Sequence, residues 1–179
     1  MTENSSATAF APATVANLGV GFDILGLAVN GLGDTVHVER QSAAGVTIVD
    51  IVGDNGKLPH DPQKNTAAVA AAATLRLLGA DFGVRLTLEK GLPLASGLGS
   101  SAASAVAAAV AVNALAGELL PRHELLPACL EAEAVVSGYH ADNVGPSLLG
   151  GITLITGTSA GDIRRLPIPA SLHFALITP

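Results

Sequence analysis

Residues 97–116 constrain the fold more than any other stretch. Gly97-Leu-Gly-Ser-Ser-Ala-Ala103 leads without a break into a run of alanines and valines that lasts to Ala116. Alanine is the strongest helix former, and Ser104 and Asn113 are the run's only later polar interruptions, so it has no polar face to give to water. The pattern predicts a helix over 100–116, stopped by Gly117 and enclosed on all sides. It is too short to span a bilayer, which takes roughly 20 apolar residues. A buried helix of alanines lets its neighbours approach closely, so the core is built from tight packing rather than large side chains. Composition agrees: 49% of residues are apolar, but only 3% are aromatic and none is tryptophan.

Around this helix the chain reads as one mixed domain over 10–179, preceded by a frayed tail over 1–9. Alternation predicts strands at 34–40, 45–52 and 84–90, and apolar runs predict two more at 152–156 and 172–178. Asn65-Thr66 caps a helix over 67–78, and Gly79 closes it. A second helical segment covers 124–137, with a bend expected at Pro127. Glycine-rich 10–33 is dense in turn signals, and 53–62, 91–99 and 138–151 read as loops. The order of elements gives an α+β or α/β domain. The last strand, Leu172 to Thr178, reads as core, and Pro179 directly after it looks like a cut.

Charge and cysteine content narrow the function classes. Nine basic against fifteen acidic residues give a net charge of −6, the wrong balance for a protein that neutralises nucleic-acid phosphates. The one cysteine, Cys129, makes neither an internal disulfide nor a thiolate metal site alone, and reads as a small core residue. The polar N-terminus lacks the basic start and apolar run of a signal peptide. A reduced, cytoplasmic protein is the expectation.

The chemistry concentrates in the loop before the long helix. Gly97 and Gly99 let backbone approach a ligand, and the helix that follows aims free N–H groups and a positive dipole end at the loop. Ser100 and Ser101 add hydroxyls for phosphate oxygens or magnesium, which together suit a di- or triphosphate. Gly97-x-Gly-x-x-Ala102 also fits a dinucleotide fingerprint formally, but Pro93 and several other residues intervene between strand and glycines. The absence of Gly-Lys-Ser/Thr rejects a Walker loop. A plain helix cap with turn glycines stays open. Asn17 and Asp23, set among glycines and apolar residues, are turn-forming or ligand-binding. His140-Ala-Asp-Asn143 crowds a histidine, a carboxylate and an amide, though no third ligand stands at metal-site spacing from His140 and Asp142. Glu131 and Glu133 lie about 200° apart around a helix, so only one can face a site. His37, His60, His123 and His173 are scattered and read as structural or surface residues.

Pro93-Leu-Ala-Ser-Gly-Leu-Gly-Ser-Ser-Ala-Ala103 resembles the phosphate loop of the GHMP kinases. Pro12-Ala-Thr-Val-Ala-Asn-Leu-Gly-Val-Gly-Phe-Asp23 and Ser137-Gly-Tyr-His-Ala-Asp-Asn-Val-Gly-Pro146 narrow the resemblance to the homoserine-phosphorylating members of that superfamily, enzymes of threonine biosynthesis. The resemblance implies a ribosomal S5 domain 2-like lobe and transfer of phosphate from ATP, with magnesium, to the hydroxyl of L-homoserine. It implies that Pro93, Leu94, Ala95, Ser96, Gly97, Leu98, Gly99, Ser100, Ser101, Ala102 and Ala103 form the nucleotide loop, with Asn65 on the adenine side. Ser101 and Glu133 take the magnesium, leaving Glu131 to face elsewhere. Asn17, Asp23, His140 and Asp142 hold homoserine, and Asn143 orients its hydroxyl. No dedicated base is implied.

Some parts of the family pattern have no counterpart here. In the family, arginines beyond the last strand hold the homoserine carboxylate, and a C-terminal ferredoxin-like domain adds a second glycine-rich loop; the resemblance therefore implies an N-terminal lobe, inactive or nearly so alone. A homodimer is common in the family, and neither nucleic acid nor membrane is an expected partner. Another small-molecule GHMP kinase, or a nucleotide-binding module without catalysis, are the alternatives.

Overall fold

The computed structural model describes residues 4–176. Its first two elements form a long antiparallel hairpin, β1 (Ser6–Leu18) and β2 (Gly21–Gln41). Most of the glycine-rich 10–33 stretch, expected as turns, is therefore strand. The glycines here serve close approach: a Cβ at Gly26 would stand 1.9 Å from the Asp142 carbonyl oxygen. The tail expected over 1–9 is already β1 from Ser6, held by pairing of Ser6 with Glu39 and Ala7 with Val38; residues 1–3 lie outside the described part.

Four more strands complete the sheet: β3 (Val46–Val52), β4 (Gly83–Glu89), β5 (Ile152–Ile155) and β6 (Ile163–Leu166). Their order is β3-β4-β2-β5-β6, with β1 along β2. Only β3 and β4 run parallel, a pairing that needs a crossover. Helix α1 (Thr66–Leu78) supplies it, capped by the Asn65 side chain and closed by left-handed Gly79 as its sequence requires. In β4, Val84, Leu86 and Leu88 turn inward while Arg85 and Glu89 are exposed.

Helix α2 (Ser100–Leu115) is the centre of the molecule, packed against β1, β2 and α1. Ala102, Ala103, Ala105, Ala107, Ala108, Ala109 and Ala111 are fully buried, which only side chains this small allow between a sheet and neighbouring helices. The segment expected as one helix over 124–137 is a 3-10 turn (Arg122–Leu125) followed by α3 (Leu126–Glu133), with Pro127 in the first turn of α3, where its missing N–H costs nothing.

Two further expectations fail. The 138–151 stretch, read as a loop, contains helix α4 (Ala141–Leu149), which holds Gly145 and Pro146. Packing outweighs propensity there, since Ala141, Val144 and Leu148 bury against the core and Gly145 lies close to Ile163. The strand expected over 172–178 is irregular through Leu176, with Phe174 57% exposed, and its last residues lie outside the described part. An apolar run marks strand potential, but no ladder partner meets this segment among the described residues. Strand β6 escaped notice because Arg164 and Arg165 break its apolar pattern, as suits the end of a sheet. No helix of the described residues is long and apolar enough to cross a membrane.

Candidate active site

Between β4 and α2 the chain folds a compact loop over 91–99 in which Ala95, Gly97 and Gly99 are all left-handed. A Cβ on Gly99 would fall 1.9 Å from the Thr14 hydroxyl oxygen, so loop and β1 touch where only glycine fits. The loop forms one wall of a cavity of about 590 Å³. Leu94, Ala95, Ser96, Gly97 and Gly99 line it, with Ser100, Ser101 and Ser104 from α2. Leu58, Pro59, Lys64, Asn65, Thr66 and Lys90, with Val136, Ser137 and Asn143, complete the lining. The Ser96 hydroxyl is buried without a partner. Pro93, Leu98, Ala102 and Ala103 do not line the cavity; Leu98 and Ala103 turn inward and pack with Ala13 and Leu92. Asn65 reaches the wall with its side chain committed, its Oδ1 accepting from the Ala67 and Ala68 amides and its Nδ2 donating to the Pro59 carbonyl.

Ser101 and Glu133, far apart in sequence, meet at the start of α2. The Ser101 hydroxyl donates to Glu133 Oε1 at 3.0 Å, and the Ser137 hydroxyl donates to the same oxygen at 2.6 Å. Glu133 is only 5% exposed, and its Oε2 is buried without a partner. Hydroxyl and carboxylate oxygens are the hard donors magnesium takes, and a buried orphan carboxylate oxygen beside a phosphate-type loop fits that ion. Glu131 points away and pairs with Arg76 at 2.6 Å on the surface. Cys129, one turn before Glu133, has its thiol pushed up to about 12 by burial, reinforced by the Glu133 charge.

The remaining candidates divide between two places. Asn143 lines the large cavity, and its Oδ1 accepts from the Thr14 hydroxyl at 2.8 Å. Asp142 is buried, and its Oδ1 accepts from the Asn143 amide. Asp23 and His140 line a second, smaller cavity of about 230 Å³, together with Tyr139, Thr156 and Thr158. Asn17 lines neither; its Oδ1 accepts from the Asp23 amide at 2.8 Å, and both residues have left-handed backbone. That hydrogen bond ties Asn17 to the residue that reaches the smaller cavity.

Sequence reasoning missed a buried ion pair beneath the loop. Asp34 and Lys90 have side chains 0% and 2% exposed, and the ammonium meets Asp34 Oδ2 directly. Burial pulls the Lys90 ammonium below the ordinary lysine range, and Asp34 offsets part of that shift. A signal was present. Asp34 continues the inward positions of Val36 and Val38, and Lys90 continues those of Leu86 and Leu88. A charge on the inward face of a strand needs a partner. Thr14 and Ser137 were missed for a different reason, since each acts through a contact made only in the folded chain.

Comparison with known proteins agrees with this geometry. Residues 65–151, from the α1 cap to the end of α4, match the model of the GHMP kinases N terminal domain. That stretch of the chain is similar to the N-terminal domain of the GHMP kinases. Homoserine kinase from Arabidopsis thaliana is 52% identical over 97% of this chain and 49% of its own length. Homoserine kinase from Xylella fastidiosa (strain 9a5c) is 46% identical over 97% of this chain and 53% of its own. The crystal structure of homoserine kinase from Cytophaga hutchinsonii superposes with a TM-score of 0.88 at 44% identity, covering 95% of this chain and 54% of that one. The chain spans about half the length of the curated relatives it matches.

Proposed function

We propose that this chain supplies the nucleotide site and part of the substrate site of a homoserine kinase, which moves the terminal phosphate of ATP to the hydroxyl of L-homoserine and releases O-phospho-L-homoserine and ADP. The observation that carries the reading is the Ser101–Glu133 contact, with its orphan carboxylate oxygen, at the mouth of α2 beside the left-handed loop. When bound, magnesium and ATP supply the electrophilic phosphoryl group and the charge neutralisation that phosphoryl transfer needs. The loop 94–101 and the N-terminus of α2 bind the phosphates, and Ser101 and Glu133 hold the magnesium. Leu58 and Pro59 give the cavity an apolar surface for the base. Asp23 attracts the homoserine ammonium. Asn143, held by Thr14, orients the acceptor hydroxyl. This is positioning and electrostatic work, so no side chain is assigned as a base.

Calorimetric titration with magnesium-ATP tests the site directly. Saturable binding to the unmodified chain is expected, weakened about tenfold or more, or roughly 1.4 kcal/mol, by either Ser101→Ala or Glu133→Gln. Equal affinity in all three proteins would remove the assignment.

A further inference from the structure

Loop 91–99 is tied at both ends to one buried pair of charges. At its entry, the Gly91 and Leu92 amides donate to Asp34 Oδ1 at 3.1 and 3.2 Å. At its exit, the Lys90 ammonium donates to the Ser100 hydroxyl at 2.6 Å and the Ser100 carbonyl at 3.0 Å. Ser104, one turn into α2, closes the circuit: it accepts from Lys90 at 2.9 Å and donates to Asp34 Oδ2 at 2.7 Å.

Stability alone does not account for this arrangement. Removing two charges from water is costly, and well-packed apolar residues often do as well or better in their place. A cation against the start of a helix also has the wrong sign for the helix dipole. Its sign is right for an anion bound at that helix start, and Lys90 lines the same cavity as Ser100 and Ser101.

We propose that Asp34, Lys90 and Ser104 are positioning residues that hold the two ends of the phosphate loop in register with α2 and thereby set its affinity for nucleotide phosphate. This rests on the nucleotide reading above. The carboxylate fixes the entry through two backbone amides, the ammonium fixes the exit through the first residue of the helix, and the serine keeps the two charges in one geometry. The three left-handed residues between those anchors then have one shape to adopt rather than several.

The test compares the unmodified chain with Ser104→Ala and with the charge-free double variant Asp34→Asn/Lys90→Met, which leaves no ion unpaired. Two readouts are taken on protein shown to be folded by circular dichroism: magnesium-ATP affinity by calorimetry, and amide hydrogen exchange at Gly91 and Leu92 with the α1 amides as internal control. Expected are affinity losses of about tenfold for Ser104→Ala and about a hundredfold for the double variant, the latter being roughly 2.7 kcal/mol. The Gly91 and Leu92 amides should lose protection while those of α1 keep theirs. Should the double variant fail to fold, Ser104→Ala decides alone. Unmodified chain that binds magnesium-ATP, with variants that bind it equally well, would overturn the positioning role and leave the nucleotide reading intact. An unmodified chain that binds no magnesium-ATP would overturn both.

Discussion

Gly99 sits where three requirements meet: a left-handed backbone at φ 63, contact with Thr14, and the last turn before α2. An alanine there would place its Cβ 1.9 Å from the Thr14 hydroxyl oxygen and 2.9 Å from Asn143 Oδ1. Gly99→Ala should therefore cost about 1–3 kcal/mol in denaturant unfolding and weaken magnesium-ATP binding, since relief of the clash must move either the loop or the Thr14–Asn143 contact. Wild-type stability and affinity in that variant would contradict the packing described. The need for glycine was legible in the sequence from the Gly97-Leu-Gly99 spacing, whereas the partner that enforces it was not. Helical periodicity likewise said that only one of Glu131 and Glu133 could face the site. The choice between them is made by contacts from other elements, Arg76 on one side and Ser101 on the other.

At the level of elements, the turn that brings Leu58 to the larger cavity hangs on one carboxylate. Asp54, at the end of β3, is buried, and it accepts from the Gly56 amide at 3.1 Å and the Leu58 amide at 2.8 Å. These bonds, with Leu58 first, hold the Asp54 carboxyl below its ordinary value of 3.8. Because the folded form binds its proton less readily than the unfolded one, the stabilisation is present above pH 3.8 and is lost as pH falls through the lower folded value. Thermal midpoints of the native chain and Asp54→Asn should differ by a constant amount above that pH and converge below it. A difference that persists unchanged into acid would count against the carboxylate's role. The turn itself was legible, since Gly53-Asp-Asn-Gly56 admits little else. Helix α4 was not. Gly145 and Pro146 argue against it locally, and it forms because Gly26 of β2 clears space for the Asp142 carbonyl. Local patterning reads an element well when its own residues decide it, as in α1 and β4, and fails when a neighbour decides it.

Across the whole molecule, the two cavities are unequally equipped. The larger is lined by hydroxyls and the Lys90 ammonium, and the Glu133 carboxylate stands behind its Ser101 and Ser137. The smaller offers Asp23 for an ammonium but neither lysine nor arginine among its lining residues. L-Homoserine carries a carboxylate as well as an ammonium, and a carboxylate brought beside Asp23 without a guanidinium or ammonium partner meets like charge and desolvation with little return. Curated relatives that share this domain are about twice as long as the chain described here. The expected outcome for these 179 residues is saturable magnesium-ATP binding with weak homoserine binding and phosphoryl transfer far below the roughly 1–10³ s⁻¹ usual for enzymes. Homoserine titrated into the magnesium-ATP complex, followed by a coupled ADP assay, measures both quantities on one sample. Turnover at ordinary enzyme rates would mean that Asp23, His140 and the hydroxyls of Thr156 and Thr158 suffice to hold the whole amino acid. His140→Gln would then weaken homoserine binding while leaving magnesium-ATP affinity unchanged, because His140 lines the smaller cavity and not the larger.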